Sequence, residues 1–140
     1  MNLRDATAAD VPEIARVLGD WCRDTPWMPK LHRRDEDLWF VRELMKTHVV
    51  RVGLAGGLGF LARQGSVVAA LYLAPEARGK GLGAALLAEV KVTGLVQLWT
   101  FQANDAARRF YWREGLREVR FTGGADNDEG LPDVWMEWRA

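Results

Sequence analysis

Apolar positions along the chain recur at two periods, and the change of period divides it. Val11, Ile14, Ala15, Val17 and Leu18 return every three to four residues, as on one face of an α-helix, behind Thr7 and Asp10 in an N-cap arrangement. A first helix over 8–22 is expected. Pro26 and Pro29 break it, because proline and the residue preceding it disfavour continuation, so 25–29 reads as an ordered loop. Asp35 is suited to cap a second helix running to about residue 47, with Leu38, Trp39, Val41, Leu44 and Met45 on its apolar side.

From residue 48 the pattern becomes that of strands. Segments 48–55 and 58–64 flank Gly56-Gly57, a pair that accepts the positive φ angles of a tight hairpin. Gly65-Ser66 marks another turn, and 67–74 is a nearly unbroken apolar run, suited to a strand covered on both faces and ended by Pro75. An alanine- and leucine-rich helix over 83–92, a strand over 95–101 and a helix over 104–114 follow. The tail supplies strands over 116–121 and 134–139, separated by the acidic, glycine-containing segment 123–133. The order α, α, β, β, β, α, β, α, β, β predicts an α/β (α+β) protein with a mixed sheet flanked by helices.

Composition narrows the function classes. The 140 residues, 49% hydrophobic and 27% charged, fit one globular domain over 1–140 with no repeat or linker. Nineteen basic residues balance nineteen acidic ones, which counts against nucleic-acid and membrane-surface partners while leaving room for a local basic patch. Cys22 is the single cysteine, and with His32 and His48 as the two histidines no zinc-ligand spacing exists. No intrachain disulfide can form, no metal is expected, and a reduced cytoplasmic compartment fits. No apolar run approaches the ~20 residues that span a bilayer, so a membrane helix or signal peptide is not expected.

The strongest chemical signal is Arg78-Gly79-Lys80-Gly81-Leu82-Gly83, between an apolar strand and a helix. Alternating glycines let successive backbone N–H groups converge on one anion. The helix N-terminus behind them adds unsatisfied amides and a positive dipole end, and Arg78 and Lys80 add formal charge at the rim. A P-loop is excluded because Gly79-Lys80 is followed by Gly81 instead of Ser or Thr. A dinucleotide fingerprint is excluded because the glycines alternate and the next strand ends on Trp99-Thr100-Phe101 with no acidic residue.

The stretch Leu71-Tyr72-Leu73-Ala74-Pro75 with Arg78-x-x-Gly81-x-Gly83 resembles the acyl-CoA signature of the GNAT N-acetyltransferase superfamily. Asn104-x-x-Ala107-x-x-Phe110-Tyr111-x-x-x-Gly115-Leu116 is similar to that family's second signature, with Leu116 where phenylalanine is usual. The resemblance implies a mostly antiparallel sheet of six to seven strands with about four helices, splayed where acetyl-CoA binds as donor co-substrate. It also implies direct acetyl transfer to a primary amine, on a small cationic molecule or a peptide, without a covalent acetyl-enzyme. Leu71, Leu73, Arg78, Gly79, Lys80, Gly81, Leu82, Gly83, Asn104, Ala107 and Tyr111 would then hold the donor. Leu73 would offer a free amide to the oxygen that gains charge, exposed by a bulge nearby, and Tyr111 would meet the leaving thiolate. A phenol near pKa ~10 facing a thiol near ~8.5 makes complete proton transfer uphill, so hydrogen bonding counts as much. Tyr111 also reads as an amphipathic core residue beside Phe110, and Asn104 as a plain N-cap.

Acceptor chemistry is less specified. In the resembled family the first helix-loop-helix region and the connection before the last strand set acceptor choice, and here these contain His32 and Asp126, Asp128, Glu129 and Asp133. These are candidates for a base or for binding a cationic amine; a solvated loop is the alternative for the acidic segment. Trp27, held between prolines, reads either as a pocket wall able to stack on a cation or as a plug anchoring the loop. Trp21, Trp39, Trp99, Trp112, Trp135 and Trp138 read as core or half-buried packing residues. Two readings compete with an enzyme: a non-catalytic acyl-CoA sensor, and an interaction protein using an aromatic surface. The family often forms dimers, so a homodimer is also compatible.

Overall fold

The computed structural model describes residues 2–29 and 33–140. In chain order these form β1 (Leu3–Asp5), α1 (Val11–Asp24), α2 (Arg34–Thr47), β2 (Val49–Leu54), β3 (Leu58–Gln64), β4 (Val67–Leu73), α3 (Leu82–Lys91), β5 (Leu95–Phe101), α4 (Asp105–Arg113), β6 (Arg117–Thr122) and β7 (Asp133–Arg139). The strands make one sheet in the order β1-β2-β3-β4-β5-β7-β6, antiparallel throughout except for β4 beside β5. This is the expected mixed, mostly antiparallel sheet with four helices.

Alternation along the strands sends apolar side chains to two faces and builds two cores. On one face α1 and α2 lay Ile14, Val17, Val41 and Leu44 against Val52, Phe60 and Ala62. On the other, Leu82, Leu86 and Val90 of α3 and Tyr111 of α4 pack on Leu61, Leu98, Val134 and Met136. Leu61 lies between Phe60 and Ala62 in β3 and faces the opposite core, as a period of two requires.

Three expectations are corrected. β1 was not anticipated: its three residues hold no periodic signal, and they pair with 51–53 of β2. Asp35 is not the cap of α2; Arg33 occupies that position, its N–H donating to Glu36 Oε1 at 3.3 Å, and Asp35 sits in the first turn, where a negative charge suits the helix dipole. Trp39, Trp112 and Trp99 are exposed, at 61%, 54% and 46%, so they are not core residues. Trp39 and Trp112 lie on outer helix faces, and Trp99 leans on Trp135 of β7, 5.1 Å away between ring centroids. The sheet order also separates β5 from β6 by the last strand, which the linear pattern did not specify.

Candidate active site

β4 and β5 are paired only at Val67 with Gln97 and Val68 with Leu98. Past that point they part, and the reason lies in β4. Ala62 faces Ala70 whereas Arg63 faces Val68, so Ala69 is an extra residue that bends the strand. The bulge expected beside Leu73 therefore sits at Ala69. Leu73 faces the gap for another reason: the Ala74 N–H donates to Leu58 O at 2.9 Å, and antiparallel alternation then turns the amides of Tyr72 and Ala74 toward β3 and those of Leu71 and Leu73 toward the space that β5 vacates.

The turn after β4 lies at the mouth of this gap. Gly79 and Gly81 adopt φ of 73° and 85°, the left-handed region that side chains disfavour, and a Cβ at Gly79 would meet nothing within 4 Å. Gly81 caps α3 without any side-chain partner, and Ala85 is the first amide to reach a carbonyl there, Gly81 O at 3.0 Å. Among the described residues, the N–H groups of Leu82, Gly83 and Ala84 are thus left to point out of the helix end. Arg78 and Lys80 are exposed beside them; Arg78 Nε donates to Leu73 O at 3.3 Å and Lys80 Nζ to Ala55 O at 3.2 Å. Gly83 has a different task, since a Cβ there would stand 3.3 Å from the Phe110 ring and force α3 away from α4. Leu82 is fully buried beneath the turn.

α4 borders the gap on the same face. Asn104 Oδ1 accepts the Ala107 N–H at 3.1 Å, so Asn104 is the N-cap and Ala107 its partner. Tyr111, 7% exposed, belongs to the core under α3, and its ring meets Phe110 edge-on at 5.3 Å. Burial pushes its phenol well above the usual value, so the hydroxyl remains protonated through neutral pH.

The opposite face of the gap is aromatic. Tyr72, one residue before Leu73, points to the α1 side, and burial, with a smaller contribution from the Glu129 carboxylate, raises its phenol. Tyr72 meets Trp21 of α1, and Trp27 meets Phe101 at the end of β5. Of the acidic segment, Glu129 is partly buried, while Asp126 and Asp128 are exposed. Asp133 is buried and engaged with Thr122 Oγ1 and with Asn127 Nδ2 at 3.1 Å, which organises the loop from within. His32 lies outside the described residues. Trp21, Tyr72 and Phe101 were missed as site residues; the one available signal was that Tyr72, between Leu71 and Leu73, must face the opposite side of β4 from both.

A bent strand that parts from its parallel neighbour, and a bare helix N-terminus at the mouth of the opening, define an acyl-CoA transferase architecture. The chain belongs to the Acetyltransferase (GNAT) family, whose sequence profile matches residues 8–116. It is an acetyltransferase, and the shared chemistry is acetyl-CoA-dependent acyl transfer. Solved structures of the same fold include ribosomal-protein-alanine N-acetyltransferase from Brucella melitensis, 20% identical over 100% of both chains with a TM-score of 0.72. Apo YjaB from Escherichia coli is 19% identical over 98% of this chain and 96% of its own, with a TM-score of 0.78. YncA from Salmonella typhimurium, solved with its cofactor acetyl-CoA, is 20% identical over 99% of this chain and 93% of its own, with a TM-score of 0.70. Among curated proteins no sequence matches. No helix among the described residues is long and apolar enough to cross a membrane.

Proposed function

We propose that residues 1–140 act as one N-acetyltransferase domain that moves the acetyl group of acetyl-CoA directly to a primary amine, on a small cationic molecule or a peptide. The observation that carries this is the gap itself, open between β4 and β5 with the Leu71 and Leu73 amides turned into it and Tyr111 beside it. In this reading Gly79, Gly81, Leu82 and Gly83 present backbone amides to the donor's pyrophosphate, and Arg78 and Lys80 exchange their carbonyl partners for phosphate oxygens. Leu71 lines the pantetheine path with Leu73, and Asn104 and Ala107 hold the start of α4 against it.

Leu73 N–H donates to the thioester oxygen, where negative charge collects as the uncharged amine nitrogen forms its bond to the carbonyl carbon, and the nitrogen passes its surplus proton to solvent as the amide forms. When the carbon–sulfur bond breaks, Tyr111 O–H donates to the departing sulfur. Its raised pKa makes it a poorer acid than a free phenol, so it stabilises the thiolate by a hydrogen bond and leaves final protonation to solvent. No cysteine or serine nucleophile is needed. Acceptor binding falls to the α1 side, where Trp27, Glu129 and, farther out, Asp126 and Asp128 face the approach; His32 of the same loop region is proposed to join them.

Free-thiol release from acetyl-CoA, followed for wild type and Tyr111→Phe across a panel of primary amines, tests this reading. Amine-dependent release that falls on loss of the hydroxyl supports it. Tight CoA binding with no release above hydrolysis for any amine would leave an acyl-CoA sensor in its place.

A further inference from the structure

Four aromatic side chains span the α1 face of the gap. Tyr72 projects from β4 and Phe101 ends β5, the two strands that part. Trp21 lies 5.0 Å from Tyr72 between ring centroids, Trp27 lies 5.7 Å from Phe101, and the two tryptophans meet edge-on at 5.9 Å. The rings therefore form a continuous arch from one strand to the other. All four are only partly buried, unlike Phe60 behind Tyr72, which is fully buried. Part of each ring's surface therefore stays open on the side from which the acceptor would arrive.

Of the carboxylates described on this side, Asp126 and Asp128 are exposed to solvent. Glu129 is partly buried and its charge is felt at Tyr72, while Asp133 is engaged with Thr122 and Asn127. We propose that the arch of Tyr72, Trp21, Trp27 and Phe101 is the acceptor subsite, and that with Glu129 it takes a flat, hydrophobic primary amine of single positive charge, of the arylalkylamine class. The proposal rests on the amine-transfer reading above. Ring faces and edges match a planar apolar group, and stacking on indole is stronger for aromatic partners than for alkyl chains. A polyamine would set further ammonium groups against rings, at a desolvation cost that one partly buried carboxylate, with Asp126 and Asp128 out in solvent, does not offset. A peptide would press backbone N–H and C=O groups onto ring surfaces that offer them no hydrogen bond.

The test uses the full chain with two readouts, amine-dependent thiol release and quenching of tryptophan emission by the amine alone. Phenethylamine, spermidine, an alanyl peptide and cyclohexylethylamine, the saturated counterpart of the first, are compared. Phenethylamine is expected to exceed the other three at least tenfold in kcat/KM. Trp27→Ala is expected to raise its KM about tenfold with kcat within about twofold, Trp27→Phe to recover most of that loss, and Glu129→Gln to raise KM for the amine with KM for acetyl-CoA unchanged. Superior turnover of spermidine or the peptide, or a Trp27→Phe and Trp27→Ala pair indistinguishable from wild type, overturns the subsite and leaves amine transfer standing. Quenching by phenethylamine that Trp27→Phe retains and Glu129→Gln weakens, with no thiol release from any amine, upholds the subsite and removes the transfer reading instead.

Discussion

The two faces of the gap between β4 and β5 are built from different materials. On the α3 and α4 face the chain offers main chain: amides of Leu71, Leu73, Leu82, Gly83 and Ala84, with glycines where side chains would intrude. On the α1 face it offers rings from four segments, with Glu129 from a fifth. A main-chain site recognises what every donor molecule shares, a pyrophosphate and a thioester, and tolerates little change of sequence. A side-chain site can be rebuilt one ring at a time without disturbing the fold, so on the proposed function donor and acceptor recognition are separable.

That separation can be broken most severely at Gly81. A valine there would hold a β-branched residue at φ of 85°, and CoA affinity measured by calorimetry is expected to fall about 100-fold, ~2.7 kcal/mol, with the circular dichroism spectrum retained. Unchanged affinity would remove the turn from the donor site. Next in size, Tyr111→Phe keeps the buried ring and deletes the hydroxyl; kcat is expected to drop by about 10- to 100-fold with KM for acetyl-CoA nearly constant, as for a group that acts in the transition state. Equal kcat would make Tyr111 a packing residue only.

Asn104→Ala sharpens the comparison on the structural side. It deletes the cap of α4 and is expected to cost about 1 kcal/mol, lowering Tm by about 3 °C. A larger loss of acetyl-CoA affinity than of stability would show that the cap also touches the donor. The smallest effect is expected far from both faces, at Asp10. Hydrogen bonds from Arg4 lower its carboxyl from 3.8 to about 2. A group depressed on folding stabilises the protein above its unfolded pKa, and this contribution fades as pH falls from about 4 through about 2. Because Arg4 is largely exposed, Asp10→Asn should cost less than ~1 kcal/mol at pH 7 and make the melting temperature less sensitive to acid over that window. A mutant as acid-sensitive as wild type would mean that other carboxylates dominate there.

The same contrast of materials decided what could be read from sequence. Left-handed turns demand glycine at fixed places, so Gly79 and Gly81 leave a spaced trace next to a helix, and the turn at the mouth of the gap was legible in the sequence. Strands β2 to β5 also kept their expected bounds within two residues, because alternation and turn glycines agree there. The acceptor face leaves no spacing: Trp21, Trp27, Tyr72 and Phe101 meet only after α1 folds across β4 and the loop reaches β5. Trp21 looks like a core residue because its helix has an apolar face, and Phe101 looks like a strand end. The bulge was misplaced by four residues because a bulge is an event in pairing, and Ala69 has nothing in its own chemistry to announce it.

The placement of β7 has a bearing on how the protein comes into being. It is the last strand in the chain, yet it stands between β5 and β6 and pairs with both, along all seven residues of β5. During synthesis β5 emerges with one edge that β4 pairs at two positions only and the other waiting for a partner that is made some thirty residues later. Pairing with β4 holds β5 at two positions only, and β7 supports the strand along its whole length, including the part that has left β4. A chain stalled before Asp133 would carry the whole glycine turn and leave β5 with one edge unpaired along all seven residues.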